Sequence, residues 1–315
     1  MFDLIKLRMI NLAPADVQNI VDRNHLQTNT RGNTVYYDNS NVRNVRSFYI
    51  SVTAAGNLRI EGSLHKFWNY RRTGRNTNHD LFTMSDAVAA LALAGETIGI
   101  DIYAMQVKYY EIGLNLYTPR PPIEYMREMQ TIGTGTNIKR LYINPRYGNQ
   151  AVEITEFYDR IKIVYKAYDK RQEMRAKRRE DVPDFEILRI ESIRKRVEKT
   201  TVRDLIAPGS IDKLTRQFLR EWRSVTMRRI VRPPSGTHET RLMVYQSIVW
   251  NGLDAAREAY ESLYQAGQLT RTRIRTIRDI CDRWPDIRKN ISLLQTENEI
   301  QYRSILLKSH DLAKL

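Results

Sequence analysis

The chain has 315 residues, 42% hydrophobic and 28% charged, a balance that suits one or two folded domains with buried cores and excludes wholesale disorder. No run of about eighteen apolar residues occurs and the opening Met1-Phe2-Asp3-Leu4-Ile5-Lys6 is broken by charge, so neither a membrane span nor a secretory leader is expected, and the cytoplasm is the expected location. The lone Cys281 excludes an internal disulfide and a multi-cysteine metal site, while 51 Lys and Arg against 36 Asp and Glu, a formal charge of +15, favour a polyanionic partner, nucleic acid first.

Alternation over Phe2–Leu12 predicts a first strand, and Ala15–Val21 a short helix. Residues 24–44 are rich in Asn, Thr, Arg and Gly, with one brief strand at Val35–Tyr37. Ser47–Thr53 and Asn57–Glu61 then form a hairpin turning at Ala54-Ala55-Gly56-Asn57. Gly62–Asn69 leads into an Arg, Gly and Asn loop that runs through Asn78. A helix opens after Phe82, with Thr83 or Ser85 as its cap, and reaches Gly95. In the strand Ala104–Tyr117, a period of two puts Tyr109, Glu111, Gly113 and Asn115 on one face and Ile112, Leu114 and Leu116 on the other. Thr118-Pro119-Arg120-Pro121-Pro122 stops ladders and helices alike, and Ile123–Met129 is helical at best.

Strands follow at Lys139–Asn144, Ala151–Phe157 and Arg160–Lys170. In the last, Lys162, Val164, Lys166, Tyr168 and Lys170 share a face opposite Ile161, Ile163, Tyr165 and Ala167. Residues 171–184 are charged, helix or loop, and Phe185–Ile193 is a strand with Arg189 and Glu191 opposite Leu188 and Ile190. Beyond it the pattern turns helical: Lys199–Ile206, Ile211–Val231 after the start signal Pro208-Gly209-Ser210, a connector at Arg232–Thr237, then Glu239–Asn251, Asp254–Ala266, Thr270–Trp284 and Ile287 to the end. The link Gly267-Gln268-Leu269 is as short as in a helix-turn-helix. The helix after it carries Arg271, Arg275 and Arg278 on one face and Ile274, Ile277 and Cys281 on the other, the pattern of a recognition helix or of a packed helix with a solvated basic face. No internal repeat occurs. The expected fold is α+β, an antiparallel sheet domain with flanking helices over 1–200 followed by a mostly helical region over 201–315.

Tyr168, between Lys166 and Lys170, has two uses. It either packs and hydrogen-bonds within a structural sheet or attacks a phosphodiester, with a nearby cation lowering its pKa and neutralising charge at phosphorus. Glu111, mid-strand, is either a salt-bridged surface residue or a metal ligand.

Five pieces occur in an order that resembles the rolling-circle replication initiators of filamentous phages and, more distantly, the trans-acting initiators of small plasmids and conjugative relaxases. They are Phe2-Asp3-Leu4-Ile5-Lys6-Leu7; Ser63-Leu64-His65-Lys66-Phe67 with Asn78-His79-Asp80-Leu81-Phe82; Tyr109-Tyr110-Glu111-Ile112-Gly113-Leu114-Asn115; Ala167-Tyr168-Asp169-Lys170; and Leu188-Arg189-Ile190-Glu191-Ser192-Ile193-Arg194. The resemblance covers residues 1 to 200 and implies a tyrosine nickase. Tyr168 would cleave one strand at the origin, keep the 5′ phosphate covalently and leave a 3′ hydroxyl for a polymerase, with Lys170 beside it. Glu111, Glu191 and His65 would hold Mg²⁺ or Mn²⁺, which prefer carboxylate oxygens. For Glu191 the alternative is a salt bridge with Arg189 or Arg194, and for His65 a hydrogen-bonded surface or DNA-contact role. Arg71, Arg72 and Arg75 would grip DNA backbone, with Lys66, Lys166 and Arg189 nearer the scissile phosphate and Arg271, Arg275 and Arg278 on origin duplex.

The implied partners are origin DNA, single-stranded and duplex, and a host helicase and polymerase in the bacterial cytoplasm; the sequence leaves open whether the chain works as a homodimer. The histidines, His25, His65, His79, His238 and His310, form no His-hydrophobe-His pair, which excludes the nickase branch that binds metal through that motif. Tyr142 and Tyr165 are alternative nucleophiles, Tyr165 facing the apolar side unless a bulge reverses it. The rival functions are a DNA-binding initiator or regulator without chemistry and a viral structural nucleic-acid protein.

Overall fold

The computed structural model describes residues 2–40, 48–143, 151–158, 161–177, 181–197 and 199–314, with backbone alone for 151–158, 161, 162 and 314. The chain divides into two compact units, residues 1–127 with 131–225 and 302–315, and residues 128–130 with 226–301.

In chain order the first part runs β1 (Phe2–Met9), α1 (Pro14–Arg23), β2 (Gln27–Arg31), β3 (Thr34–Asp38), β4 (Tyr49–Thr53), β5 (Leu58–Ser63), α2 (Leu64–Thr73), α3 (Met84–Ile98) and β6 (Gln106–Tyr117). Then come α4 (Pro122–Glu128), β7 (Met129–Ile132), β8 (Lys139–Arg140), β9 (Ala151–Tyr158), β10 (Ile161–Asp169), α5 (Lys170–Ala176), β11 (Ile187–Lys195), α6 (Val202–Ile206) and α7 (Pro208–Arg223). Nine of these strands make one sheet in the order β2-β3-β4-β5-β1-β6-β11-β10-β9, antiparallel at every junction.

Directly opposed residues share a face. The register sets Ile193 opposite Glu111, Glu191 opposite Gly113 and Arg189 opposite Asn115, with Lys166 opposite Glu191 and Tyr168 opposite Arg189. One face of β6, β11 and β10 therefore collects the ionisable residues. The other holds Ile112, Leu114, Leu116, Leu188 and Ile190, all buried, and α7 packs on it. Trp222 of α7 is fully buried, stands edge-on to Tyr165 at 6.3 Å and donates its indole N–H to Ser192 Oγ at 3.2 Å. Truncating such a ring costs about 3–5 kcal/mol.

β1 joins this face through an irregularity. Its register with β6 shifts between Phe2 and Ile5, so one extra residue in β1 lets Asp3 and Lys6 point to the same side, which strict alternation forbids. Phe2 keeps to the apolar side, edge-on to Tyr110 at 5.8 Å.

Several expectations need correction. Leu64–Thr73, given no element up to Asn69 and expected as loop beyond it, is the helix α2, because Ser63 caps it by accepting from the Lys66 N–H and Gly74 ends it at φ 73°. Residues 27–38 form a full hairpin, β2 with β3, around Gly32 at φ 61°. The strand expected at Lys139–Asn144 is only the two-residue β8, paired with β7, and Asn144 lies outside the described residues. The helix expected to reach Val231 stops at Arg223, since β-branched Ile230 and Val231 belong to a strand. The compact units part after residue 225 rather than at 200, because α7 belongs under the first sheet. Tyr302, which donates to the Trp222 carbonyl at 3.0 Å, returns the last residues to that unit.

The second unit contains β12 (Thr226–Met227), β13 (Arg229–Arg232), α8 (Glu239–Asn251), α9 (Leu253–Gln265), α10 (Arg271–Asp282), α11 (Trp284–Ile287) and β14 (Ser292–Gln295). β13 pairs with β14, so the final helix, α12 (Glu297–Lys314), starts ten residues later than Ile287. Its core gathers Val244, Tyr245, Ile248, Ile277, Ile280 and Cys281. As the period requires, α10 buries Ile274, Ile277 and Cys281 and exposes Arg271, Arg275 and Arg278; Gly267, at φ 72°, makes the short turn from α9. Among the described residues no helix is long and apolar enough to cross a membrane.

Candidate active site

Three carboxylates meet on the polar face of the sheet. One ligating oxygen from each of Asp3, Glu111 and Glu191 lies within 4.8 Å of the others. Arg189 binds two of them: Nη2 donates to Asp3 Oδ2 at 2.7 Å, Nε to Glu191 Oε1 at 2.7 Å, and Nη1 to Asn115 Oδ1 at 3.0 Å. To reach β1 from β11 this side chain crosses β6 at Gly113, where a Cβ would stand 2.6 Å from Nη2.

Asp3 is further held by Ser63 Oγ and by Asn78 Nδ2 at 3.0 Å. Burial pushes its carboxyl up, but the nearby Arg189, His65 and Lys170 and the Ser63 hydroxyl prevail and keep it well below the usual range. Glu111 differs. Burial and the facing charges of Glu191 and Asp3 push it up to about 8, against the Tyr109 hydroxyl that donates to it. Carboxylates crowded so that one holds a proton at neutral pH suit a hard divalent cation, which would relieve the repulsion.

Tyr168 sits beside this cluster. Its hydroxyl donates to Glu191 Oε1 at 2.8 Å, the Lys166 ammonium lies 4.5 Å from its ring centroid and that of Lys170 6.0 Å. The lowered phenol pKa expected from neighbouring cations is not found. Tyr168 is 9% exposed, and burial with the Glu191 charge pushes the phenol well above its ordinary value.

The structure thus brings together Tyr168, Glu111, Glu191, Lys166 and Arg189 and adds Asp3. Arg189, expected near a scissile phosphate, is buried and its donors are engaged by Asp3, Glu191 and Asn115, so it braces the site from within. Lys170 is also buried and bonds Glu173 at 2.9 Å, its pKa lowered by burial and by Arg189. His65 lies outside the carboxylate group: its Nε2 is 2.8 Å from Asp80 Oδ1 and its ring stacks on Phe82 at 4.4 Å. Burial lowers its pKa despite Asp80. Tyr165 faces the apolar side against Trp222, and Tyr142 is half exposed, outside the nine-stranded sheet.

Arg71, Arg72 and Arg75 are exposed at and beyond the end of α2, Arg72 lying 5.4 Å from the Trp68 ring, and Lys66 is half-buried. In the second unit Arg278 is forked onto Glu261 at 2.6 and 2.7 Å, leaving Arg271 and Arg275 as the more available cations of that face.

Asp3 escaped the sequence reading, although it is the one carboxylate in the opening strand Phe2–Met9. Asn78 and Asn115 escaped it too; Asn115 Nδ2 donates to the Asn78 carbonyl at 3.2 Å, which ties the segment before α3 to the site. No family model matches the chain, and no curated protein matches it.

Proposed function

We propose that the chain cuts and rejoins one DNA strand at a replication origin through a covalent Tyr168 intermediate, as the rolling-circle initiators it resembles do, in the cytoplasm of a bacterial host. The observation that carries the reading is the 2.8 Å bond from the Tyr168 hydroxyl to Glu191, a member of a carboxylate group able to take a divalent cation. Asp3, Glu111 and Glu191 would hold Mg²⁺ or Mn²⁺, which supplies electrostatic stabilisation of the phosphate.

The residues supply the rest. Glu191 Oε1 takes the phenol proton as the Tyr168 oxygen bonds to phosphorus and the P–O3′ bond breaks. Lys166, 24% exposed at its side chain and 4.0 Å from Glu191 Oε2, gives a proton to the departing 3′ oxygen. Rejoining runs the same transfers backwards. Arg189 holds Asp3 and Glu191 at fixed spacing throughout, and Asn115 orients Arg189.

A second reading, a DNA-binding initiator without chemistry, draws on the burial of Tyr168. The two separate on a denaturing gel. Incubated with single-stranded origin DNA and Mn²⁺, a nickase yields a protein–DNA adduct that Tyr168→Phe abolishes, whereas a binder yields none.

A further inference from the structure

On the same sheet face, toward the other end of β1, lies a groove of about 420 Å³ lined by Lys6, Arg8, Ser51, Thr53, Arg59 and Lys108 among others. Register explains the gathering: Lys6 opposes Tyr109 and Glu61, Arg8 opposes Arg59, and Arg59 opposes Ser51. A second register shift, between Lys6 and Leu7, leaves Lys108 as an extra residue in β6, and such a bulge re-aims a side chain, here into the groove.

Directly opposed like charges destabilise a sheet, yet Arg8 faces Arg59. Glu61 neutralises part of the cluster, bonding Lys6 and Arg59 at 2.6 Å each. Arg8 and Lys108 have no acidic partner among the described residues. The fold thus holds surplus cation here against its own stability, which suits a polyanion. Two aromatic residues border the cluster: the Lys6 ammonium lies 5.3 Å from the Tyr109 ring centroid, and Tyr36 opposes Thr53. Tyr109 also joins the groove to the carboxylates, since its hydroxyl donates to Glu111. From Arg8 to Asp3 along β1 is roughly 16 Å at about 3.3 Å per residue.

We propose that this groove holds the backbone of one unpaired DNA strand flanking the cleavage site, with Arg8 and Lys108 each on a phosphate and Tyr109 beneath a base. The proposal rests on the Tyr168 reading only for the strand's course toward Glu111. Cations bordered by aromatic rings fit an unpaired strand, whose bases are free to stack, better than a duplex, whose bases are already stacked on one another.

The test is fluorescence anisotropy with full-length Tyr168→Phe protein, without divalent cation, on labelled oligothymidine and on a labelled duplex between about 50 and 200 mM salt. Arg8→Ala with Lys108→Ala removes two phosphate contacts, so the slope of log K against log salt on the single strand falls by about 1.4. Arg8→Lys with Lys108→Arg keeps the wild-type slope, which separates lost charge from lost folding. An unchanged slope in the alanine variant overturns the proposal, as does an equal loss on duplex. Because the readout is binding by a protein unable to form the adduct, a failed adduct assay leaves the groove standing, and an unchanged slope leaves the nickase reading standing.

Discussion

Arg189 lies across Gly113, and the missing side chain of that glycine is the gap through which the guanidinium reaches Asp3. A Cβ at Gly113 would stand 2.6 Å from Nη2 and 3.2 Å from Glu191 Cγ. Gly113→Ala is therefore expected to cost about 1–3 kcal/mol by overpacking and to lower adduct yield severalfold while leaving oligothymidine affinity unchanged. Urea unfolding and the denaturing gel check the two halves. A fully active, fully stable Gly113→Ala protein would show that Arg189 has room to spare.

Removing Arg189 should be worse. Arg189→Met leaves Asp3 and Glu191 buried without their cation, and breaking such pairs from one side costs about 3–5 kcal/mol. Adding Asp3→Asn and Glu191→Gln to Arg189→Met should recover part of that loss. Denaturant midpoints of the single and triple variants measure it, and equal midpoints would mean that the carboxylates do not depend on Arg189.

Glu111 predicts a pH dependence. Its carboxyl ionises near 4.5 when unfolded and at about 8 in the folded chain, so the folded state binds the extra proton between those values. Its contribution to stability is full below 4.5 and lost as pH rises through 8. His65, held below its ordinary 6.5 by burial, acts in the opposite sense, favouring the fold above 6.5 and losing that contribution as pH falls. Between about pH 7 and 8.5 without metal, the wild-type Tm should fall relative to that of Glu111→Gln. Added Mn²⁺ should raise the wild-type Tm, more so at the higher pH, and raise that of Glu111→Gln far less. Parallel Tm curves, with and without Mn²⁺, would count against both the shifted carboxyl and the cation site.

In the second unit, Arg271→Ala with Arg275→Ala should weaken duplex binding and lower its salt slope by about 1.8, two phosphate contacts' worth. Arg278→Ala should matter less, because Glu261 already engages that guanidinium. An unchanged duplex titration in the double variant would reduce this face to a solvated one.

The polar face was legible where strands alternate without interruption. In β6 from Tyr110 to Leu116 every second residue is apolar and buried, and in β11 Leu188 and Ile190 flank Arg189 and Glu191 in the same way, so Glu111 and Glu191 could be assigned to one side from spacing alone. Asp3 was not legible, because its side is decided by a one-residue shift against β6 that no local pattern records. The burial of Arg189 and Lys170 was hidden for a related reason: whether a charge stands at a rim or in the middle of a face depends on strands distant in sequence. α2 was missed because Phe67, Trp68, Asn69 and Tyr70 favour helix weakly, and the Ser63 cap and Gly74 stop mark it only when read together. β13 and β14 are short strands held by each other, and in sequence each looked like the continuation of a helix.

The nickase reading requires Tyr168 to be the residue that takes up DNA. The most direct measurement is proteolysis of the covalent adduct formed on origin single strands with Mn²⁺, followed by mass spectrometry of the nucleotide-bearing peptide. A phosphonucleotide is expected on Tyr168, and no adduct from Tyr168→Phe. A nucleotide on Tyr142, or an adduct that persists in Tyr168→Phe, would contradict it.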